Sequence, residues 1–202
     1  APHADKVSVA AFNAPGNLVI AGAGAEVSAI AARLAGQGLR TQALSVSHAF
    51  HSPLMDPMVE EFRQLAAGVT HSAPTLTWIS NLDGAPMDWA KWGHRMADYW
   101  ASHVRAPVAF ESGARALAAT HCDVHLEVGP NPTLIGLGLQ CVPEGTATEW
   151  LPSLKRSKGG WEQMLESVAR LYVRGAKLNW TAVQGPGVRH SLELPLYPFQ
   201  RQ

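Results

Sequence analysis

Apolar and polar positions alternate from Lys6 to Phe12, break at Asn13-Ala14-Pro15-Gly16, and alternate again from Asn17 to Gly22, which predicts two strands joined as a hairpin. From Ala25 the period lengthens. Val27, Ile30, Ala31 and Leu34 fall on one helical face, and Gly36 and Gly38 end the helix. Leu39 to Val46 returns to a strand pattern, and Leu54, Met58, Phe62 and Leu65 then supply a buried stripe for a second helix. Residues 1 to about 70 therefore read as a small antiparallel α+β lobe.

Beyond His71-Ser72-Ala73-Pro74 the pattern changes. Leu76 to Ser80 reads as a buried strand, Asn81-Leu82-Asp83-Gly84 as a turn, and His94 to Val104 as a helix. Pro107 is expected to start a further helix through Leu117, with Val108, Phe110, Ala114 and Leu117 inward. Asp123 to Val128 alternates, Gly129-Pro130-Asn131-Pro132 breaks it, and Thr133 to Gln140 can form a short helix. Strand, glycine turn and helix in that order are the grammar of an α/β sheet, whose sites lie where strands end. Trp150 to Leu154 reads as extended, and Trp161, Leu165, Val168 and Tyr172 as the stripe of a helix closed by Gly175. The remainder, broken by Pro186, Pro195 and Pro198, carries Leu192, Leu194, Leu196, Tyr197 and Phe199 and is too apolar for a free tail.

Composition narrows the class. With 202 residues and 47% hydrophobic content the chain can bury one core or a core plus a smaller lobe. Lys+Arg and Asp+Glu are both 16, a balance that gives no case for nucleic acid as partner. Two cysteines, Cys122 and Cys141, make no disulfide framework, so a reduced cytoplasmic setting is expected. No apolar run is long enough for a bilayer span, and no membrane partner is expected. The start, Ala1-Pro2-His3, lacks a methionine, as a segment cut from a longer chain would.

The chemistry concentrates in Ser47-His48-Ala49-Phe50-His51-Ser52-Pro53, where the strand pattern gives way to a helix. Ser52 is a good N-cap and Pro53 a good first helical residue. His51 then stands just outside the first turn, where the helix's positive end disfavours a second positive charge, as suits a general base. A histidine before a helix is more often a surface or capping residue, and the motif alone does not decide. Metal binding is a rival, since His48 and His51 have His-X-X-His spacing and His121, Cys122 and His125 lie close together. Neither group matches a helix-borne His-Glu-X-X-His or paired Cys-X-X-Cys pattern, so no metal is expected. Gly22-Ala23-Gly24 lacks the rest of a phosphate-binding loop.

Together with Phe12-Asn13-Ala14-Pro15-Gly16, Tyr99-Trp100, Glu127-Val128-Gly129-Pro130 and Leu194-Pro195-Leu196-Tyr197-Pro198-Phe199-Gln200-Arg201, this stretch resembles the acyltransferase domain of modular type I polyketide synthases, in its C-terminal half and trailing linker. The resemblance implies a partial domain of α/β class: residues 71–148 as the C-terminal part of an α/β-hydrolase-like body, residues 1–70 as a ferredoxin-like small subdomain, and residues 149–202 as a helix and linker strap. It implies that His51 is the catalytic base, oriented by the backbone carbonyl of His103, that His48 and Phe50 bear on substrate choice, and that Asn13 is a possible substrate contact. The His-Ala-Phe-His form goes with malonyl units, Phe50 filling the space that an α-methyl would need. Asp56 and Glu127 are candidate carboxylate partners for the base that the residues alone leave open.

The nucleophile implied by the family sits in a Gly-X-Ser-X-Gly elbow. No serine of this chain stands in that motif. The expected substrate is malonyl-CoA and the expected acceptor the phosphopantetheine thiol of an acyl carrier protein, with no cofactor of the chain's own. The upstream half of the acyltransferase and the adjacent ketosynthase are the expected neighbours. Two function classes stay open: an acyl-transfer enzyme completed by upstream residues, and a non-catalytic module that docks neighbouring synthase domains.

Overall fold

The computed structural model describes residues 5–146, 148–185, 187, 195–198 and 200. Strands β1 (Val7–Ala14) and β2 (Asn17–Gly22) form the expected antiparallel hairpin. Its turn is tighter than the sequence suggests, because Gly16 takes a left-handed φ of 71° and lets the chain reverse over Pro15-Gly16 alone. Asn13, expected in the turn, is therefore a strand residue. Helix α1 (Gly24–Gly36) turns its predicted stripe of Val27, Ile30, Ala31 and Leu34 to the less exposed side.

Residues 39–46 form no strand. One edge of β1 is taken by β2 and the other by Val108, whose N–H donates to Ala10 O (2.8 Å) and whose carbonyl accepts from Phe12 N (2.9 Å). Both edges of β1 are occupied and 39–46 does not pair with the outer edge of β2, so its alternating pattern has no partner among the described residues, and Leu39, Leu44 and Val46 are exposed.

A 3-10 turn, Pro53–Met55, leads into α2 (Asp56–Ala67). That turn shifts the phase of the predicted stripe. Met55 and Ala66 are buried and Met58 and Phe62 partly so, whereas Leu54 and Leu65 point outward. Leu76 to Ser80 is likewise no strand; only Ile79 makes a bridge, to Pro86, after which come the short α3 (Trp89–Trp92) and α4 (Met96–Arg105). Helices α2 and α4 pack against each other, with Met96, Tyr99 and Ala101 buried on α4.

The helix expected from Pro107 begins later, as α5 (Phe110–Ala118). The reason is the bridge between Val108 and Ala11, in which the Val108 carbonyl accepts from Phe12 N instead of from a following helical N–H; with Ala109 N donating to Asn81 O (2.8 Å), Pro107 to Ala109 tie the hairpin to the rest of the chain. Phe110 of α5 packs on a small core of Ala14, Ala114 and Cys141.

Strand β3 (Val124–Glu127), helix α6 (Thr133–Cys141) and strand β4 (Glu149–Pro152) form a parallel unit with a helical crossover. Gly138 permits it, since a Cβ there would lie 2.5 Å from the Trp150 ring. Helix α7 (Gly160–Val173) follows, but the predicted stripe is not its buried face. Gln163 and Ser167 are buried instead, because Ser167 Oγ donates to Pro152 O (2.7 Å), while Trp161, Leu165 and Tyr172 are exposed. Tyr172 meets Trp180 of α8 (Trp180–Gln184) edge to face. Of the terminal apolar residues, Leu192, Leu194 and Phe199 lie outside the described residues, as do Pro186 and Arg201, and Leu196 and Tyr197 are exposed. Among the described residues no helix is long and apolar enough to cross a membrane.

Candidate active site

Ser52 builds the junction. Its Oγ accepts from Leu54 N (3.3 Å) as the expected N-cap and donates to Ala49 O (2.6 Å), which closes the loop in front of the helix. Fully buried, Ser52 forces the preceding residue into a tight bend. His51 consequently has φ 63°, a left-handed conformation that costs a non-glycine residue on the order of 1–2 kcal/mol. Its N–H, donating to Val104 O at 3.0 Å, helps hold it there.

The His51 ring is fixed by a second carbonyl of the same segment. Nδ1 lies 2.7 Å from Ala106 O. A carbonyl can only accept, so Nδ1 carries the proton and Nε2 of the neutral ring is left as the acceptor. The carbonyl expected in this role was that of His103, and the structure places Ala106 there instead. The cause is Pro107, which drives the residue before it out of the helical region: Ala106 has φ −74° and ψ 152° and caps α4, so its carbonyl turns away from the helix axis. That signal was present in the sequence as Ala106-Pro107.

His103 contributes its ring rather than its carbonyl. The centroid stands 6.0 Å from that of His51, edge to face, with Tyr99 and Trp100 on its other sides. Burial, and then the charge of His51, pushes His103 below its ordinary range.

Phe50 is half exposed, its ring 6.5 Å from His51 and 6.2 Å from His48. His48 is exposed, with Nδ1 3.1 Å from Ser47 Oγ. The structure thus brings His48, Phe50, His51 and His103 into one aromatic row. Asn13 is not joined to it by any described bond, and its carbonyl accepts from Cys141 Sγ (3.3 Å).

Neither candidate carboxylate reaches His51. Asp56 Oδ1 accepts from Arg105 Nε (2.7 Å), and Glu127 caps α6 by accepting from Thr133 N, Leu134 N and Ile135 N at 2.8–3.0 Å. The metal rival finds no support at His125, whose Nδ1 donates to Thr148 Oγ1 (2.8 Å) while the ring stacks on Trp150. Among the described residues no three His, Cys, Asp or Glu side chains are grouped to hold a metal ion.

Residues 1–178 match the family model described as the acyl transferase domain. The chain belongs to the acyl transferase domain family. It is 39% identical over 98% of its length to mycoketide-CoA synthase of Mycobacterium tuberculosis. The acyltransferase domain from the second module of the salinomycin polyketide synthase superposes with a TM-score of 0.79 at 37% identity, over 90% of this chain and 42% of that one. Malonyl-CoA:acyl carrier protein transacylase (FabD) of Xanthomonas oryzae pv. oryzae follows with a TM-score of 0.65 at 27% identity, over 75% of this chain and 47% of that one. Its neighbours therefore give this acyltransferase chain a mixed α/β fold. The chain spans 5% of the mycoketide-CoA synthase and less than half of these two solved acyltransferases.

Proposed function

We propose that this chain supplies the general base of a polyketide synthase acyltransferase that moves a malonyl unit from coenzyme A to the phosphopantetheine thiol of an acyl carrier protein. The observation that carries the reading is the bond from His51 Nδ1 to Ala106 O, which leaves Nε2 free to accept a proton. The nucleophile on this reading is a serine on a preceding segment of the full-length protein. As the serine Oγ attacks the thioester carbonyl, its proton passes to His51 Nε2; the tetrahedral intermediate collapses, and the departing sulfur takes that proton away as the coenzyme A thiol. In the second half-reaction the pantetheine thiol gives its proton to Nε2 and attacks the acyl-serine ester, and the serine leaves with the proton.

Malonyl is favoured because Phe50 stands beside the base, where its ring would crowd an α-methyl substituent. The Xanthomonas relative, named for malonyl-CoA and acyl carrier protein, supports this substrate class. Asn13 stays a candidate substrate contact. On this reading residues 1–70 are the ferredoxin-like small subdomain. Residues 71–148 belong to the α/β-hydrolase-like body, and 149–202 form the helix and strap toward a neighbouring ketosynthase.

Mass spectrometry of the full-length protein after brief exposure to malonyl-CoA tests the reading. A malonyl adduct on a serine, lost in His51→Ala with the fold intact, is expected. Normal loading of His51→Ala excludes His51 as the base.

A further inference from the structure

Arg105 sits between the two residues whose carbonyls hold His51. Val104 O accepts from His51 N and Ala106 O accepts from His51 Nδ1, so the backbone at Arg105 sets the spacing of both. The guanidinium itself points elsewhere. Its Nε donates to Asp56 Oδ1 at 2.7 Å, and Nη1 donates to Ser8 Oγ at 3.2 Å. Asp56 is the first residue of α2, just past the Ser52 cap, Ser8 lies in β1, and Arg105 is the last residue of α4. One side chain therefore ties together three elements that meet around the base.

We propose that Arg105, held by Asp56 and Ser8, is a positioning residue for His51, fixing the Val104 and Ala106 carbonyls at the distance that keeps the ring's proton on Nδ1. This rests on the reading of His51 as general base. Arg105 touches no reacting atom and acts through the carbonyls beside it. Arginine suits the role because its planar fork serves two acceptors in fixed directions, which a lysine ammonium cannot do. The Asp56 side chain is 59% exposed and that of Arg105 35%, so the ion pair adds little to global stability. Small displacements of a catalytic group nevertheless cost large factors in rate. The clamp should therefore weigh on turnover far more than on folding, a combination that a merely structural ion pair would not give.

The test uses the full-length protein carrying Arg105→Met, Arg105→Lys, Asp56→Asn or Asp56→Glu. Two quantities are read: single-turnover acylation by malonyl-CoA, and hydrogen–deuterium exchange at the C2 position of His51, followed by peptide mass spectrometry and independent of activity. Arg105→Met and Asp56→Asn are expected to slow acylation about 10–100-fold, with KM for malonyl-CoA within about twofold of wild type, since the base is displaced and the substrate pocket is not. Exchange at His51 should become several-fold faster as the ring is released, and Asp56→Glu should restore most of both. Should Arg105→Met fail to fold, Arg105→Lys and Asp56→Asn carry the same comparison. Folded variants with wild-type exchange at His51 overturn the clamp, whatever their activity. A wild-type protein that transfers no acyl group overturns the functional reading instead, and faster exchange in the variants then still supports the clamp.

Discussion

His51 and Ala106 are 55 residues apart in the chain and 2.7 Å apart at the ring nitrogen and carbonyl oxygen. What joins them is a helix whose C-cap residue, Ala106, directly precedes a proline. Replacing Pro107 with Ala removes the restriction that keeps Ala106 extended and lets α4 continue, which would swing the carbonyl back along the helix axis. Acyl-enzyme formation in Pro107→Ala is expected to fall by about tenfold or more, within the range that positioned acid–base groups contribute. Rapid-quench loading with malonyl-CoA measures it, and an unchanged rate in the folded variant removes Ala106 from the account.

Ser52 does two jobs in one buried hydroxyl, capping the helix and accommodating the Ala49 carbonyl. Ser52→Ala leaves both Leu54 N and Ala49 O short of a partner and should cost about 1–2 kcal/mol. Thermal unfolding of the full-length protein reads this directly. Because the same bend holds His51 at its left-handed φ, loading should also slow; a variant that loses stability but loads normally would separate the cap from the site.

Phe50 offers a test of substrate choice. Phe50→Ser, alone or with His48→Tyr, opens space beside His51 and should raise methylmalonyl loading relative to malonyl. One methyl group is worth about 1–3 kcal/mol in such a pocket, so a shift of roughly tenfold rather than a full switch is expected. A competition assay with both thioesters measures it, and an unchanged ratio with activity retained removes Phe50 from the selection.

Two histidines make stability depend on pH. Burial holds His125 below its ordinary value of 6.5, and burial together with His51 does the same for His103. In the unfolded chain both regain that value and bind protons that the folded state refuses, so unfolding becomes easier as pH falls below about 6.5. Above that pH both states are neutral and the contribution is constant. The unfolding temperature should therefore drop between pH 7.5 and 5.5, and His125→Phe, which keeps a ring against Trp150, should flatten the slope. An equal slope in that variant would exclude His125 as a source.

The sequence carried the parts of this site that depend on local chemistry. Ser52-Pro53 announces a helix start, Gly16 a reversal and Gly129-Pro130 a strand end, and each holds because its cause lies within a few residues. Partner-dependent features did not show. Leu39 to Val46 alternates like a strand, but a strand needs a partner, and among the described residues it has none. The α7 stripe has the right period, yet Ser167 and Gln163 face inward because Pro152 offers a carbonyl there. Family resemblance points to the His103 carbonyl as the orienter, whereas the physical signal is Ala106-Pro107. Nothing in the linear chain says that Asp56 and Ser8 converge on Arg105.

The same exposed features predict how residues 1–202 behave alone. Among the described residues strand β3 is paired on one side only, by β4; Leu126 in it and Val128 just past it are exposed, as are Leu39, Leu44 and Val46 before the active-site loop. Parallel strands are ordinarily covered on both faces, and an uncovered apolar edge invites pairing with other chains. Produced by themselves, these residues are expected to aggregate at micromolar concentration and, if the nucleophile lies on a preceding segment as proposed, to transfer no acyl group, because a base without a nucleophile cannot form the acyl-enzyme. Co-expression with a preceding segment carrying the serine elbow should restore both solubility and loading. Light scattering and a carrier-protein loading assay decide the matter: a soluble, cooperatively unfolding 202-residue chain that loads malonyl unaided would show that the nucleophile lies within it.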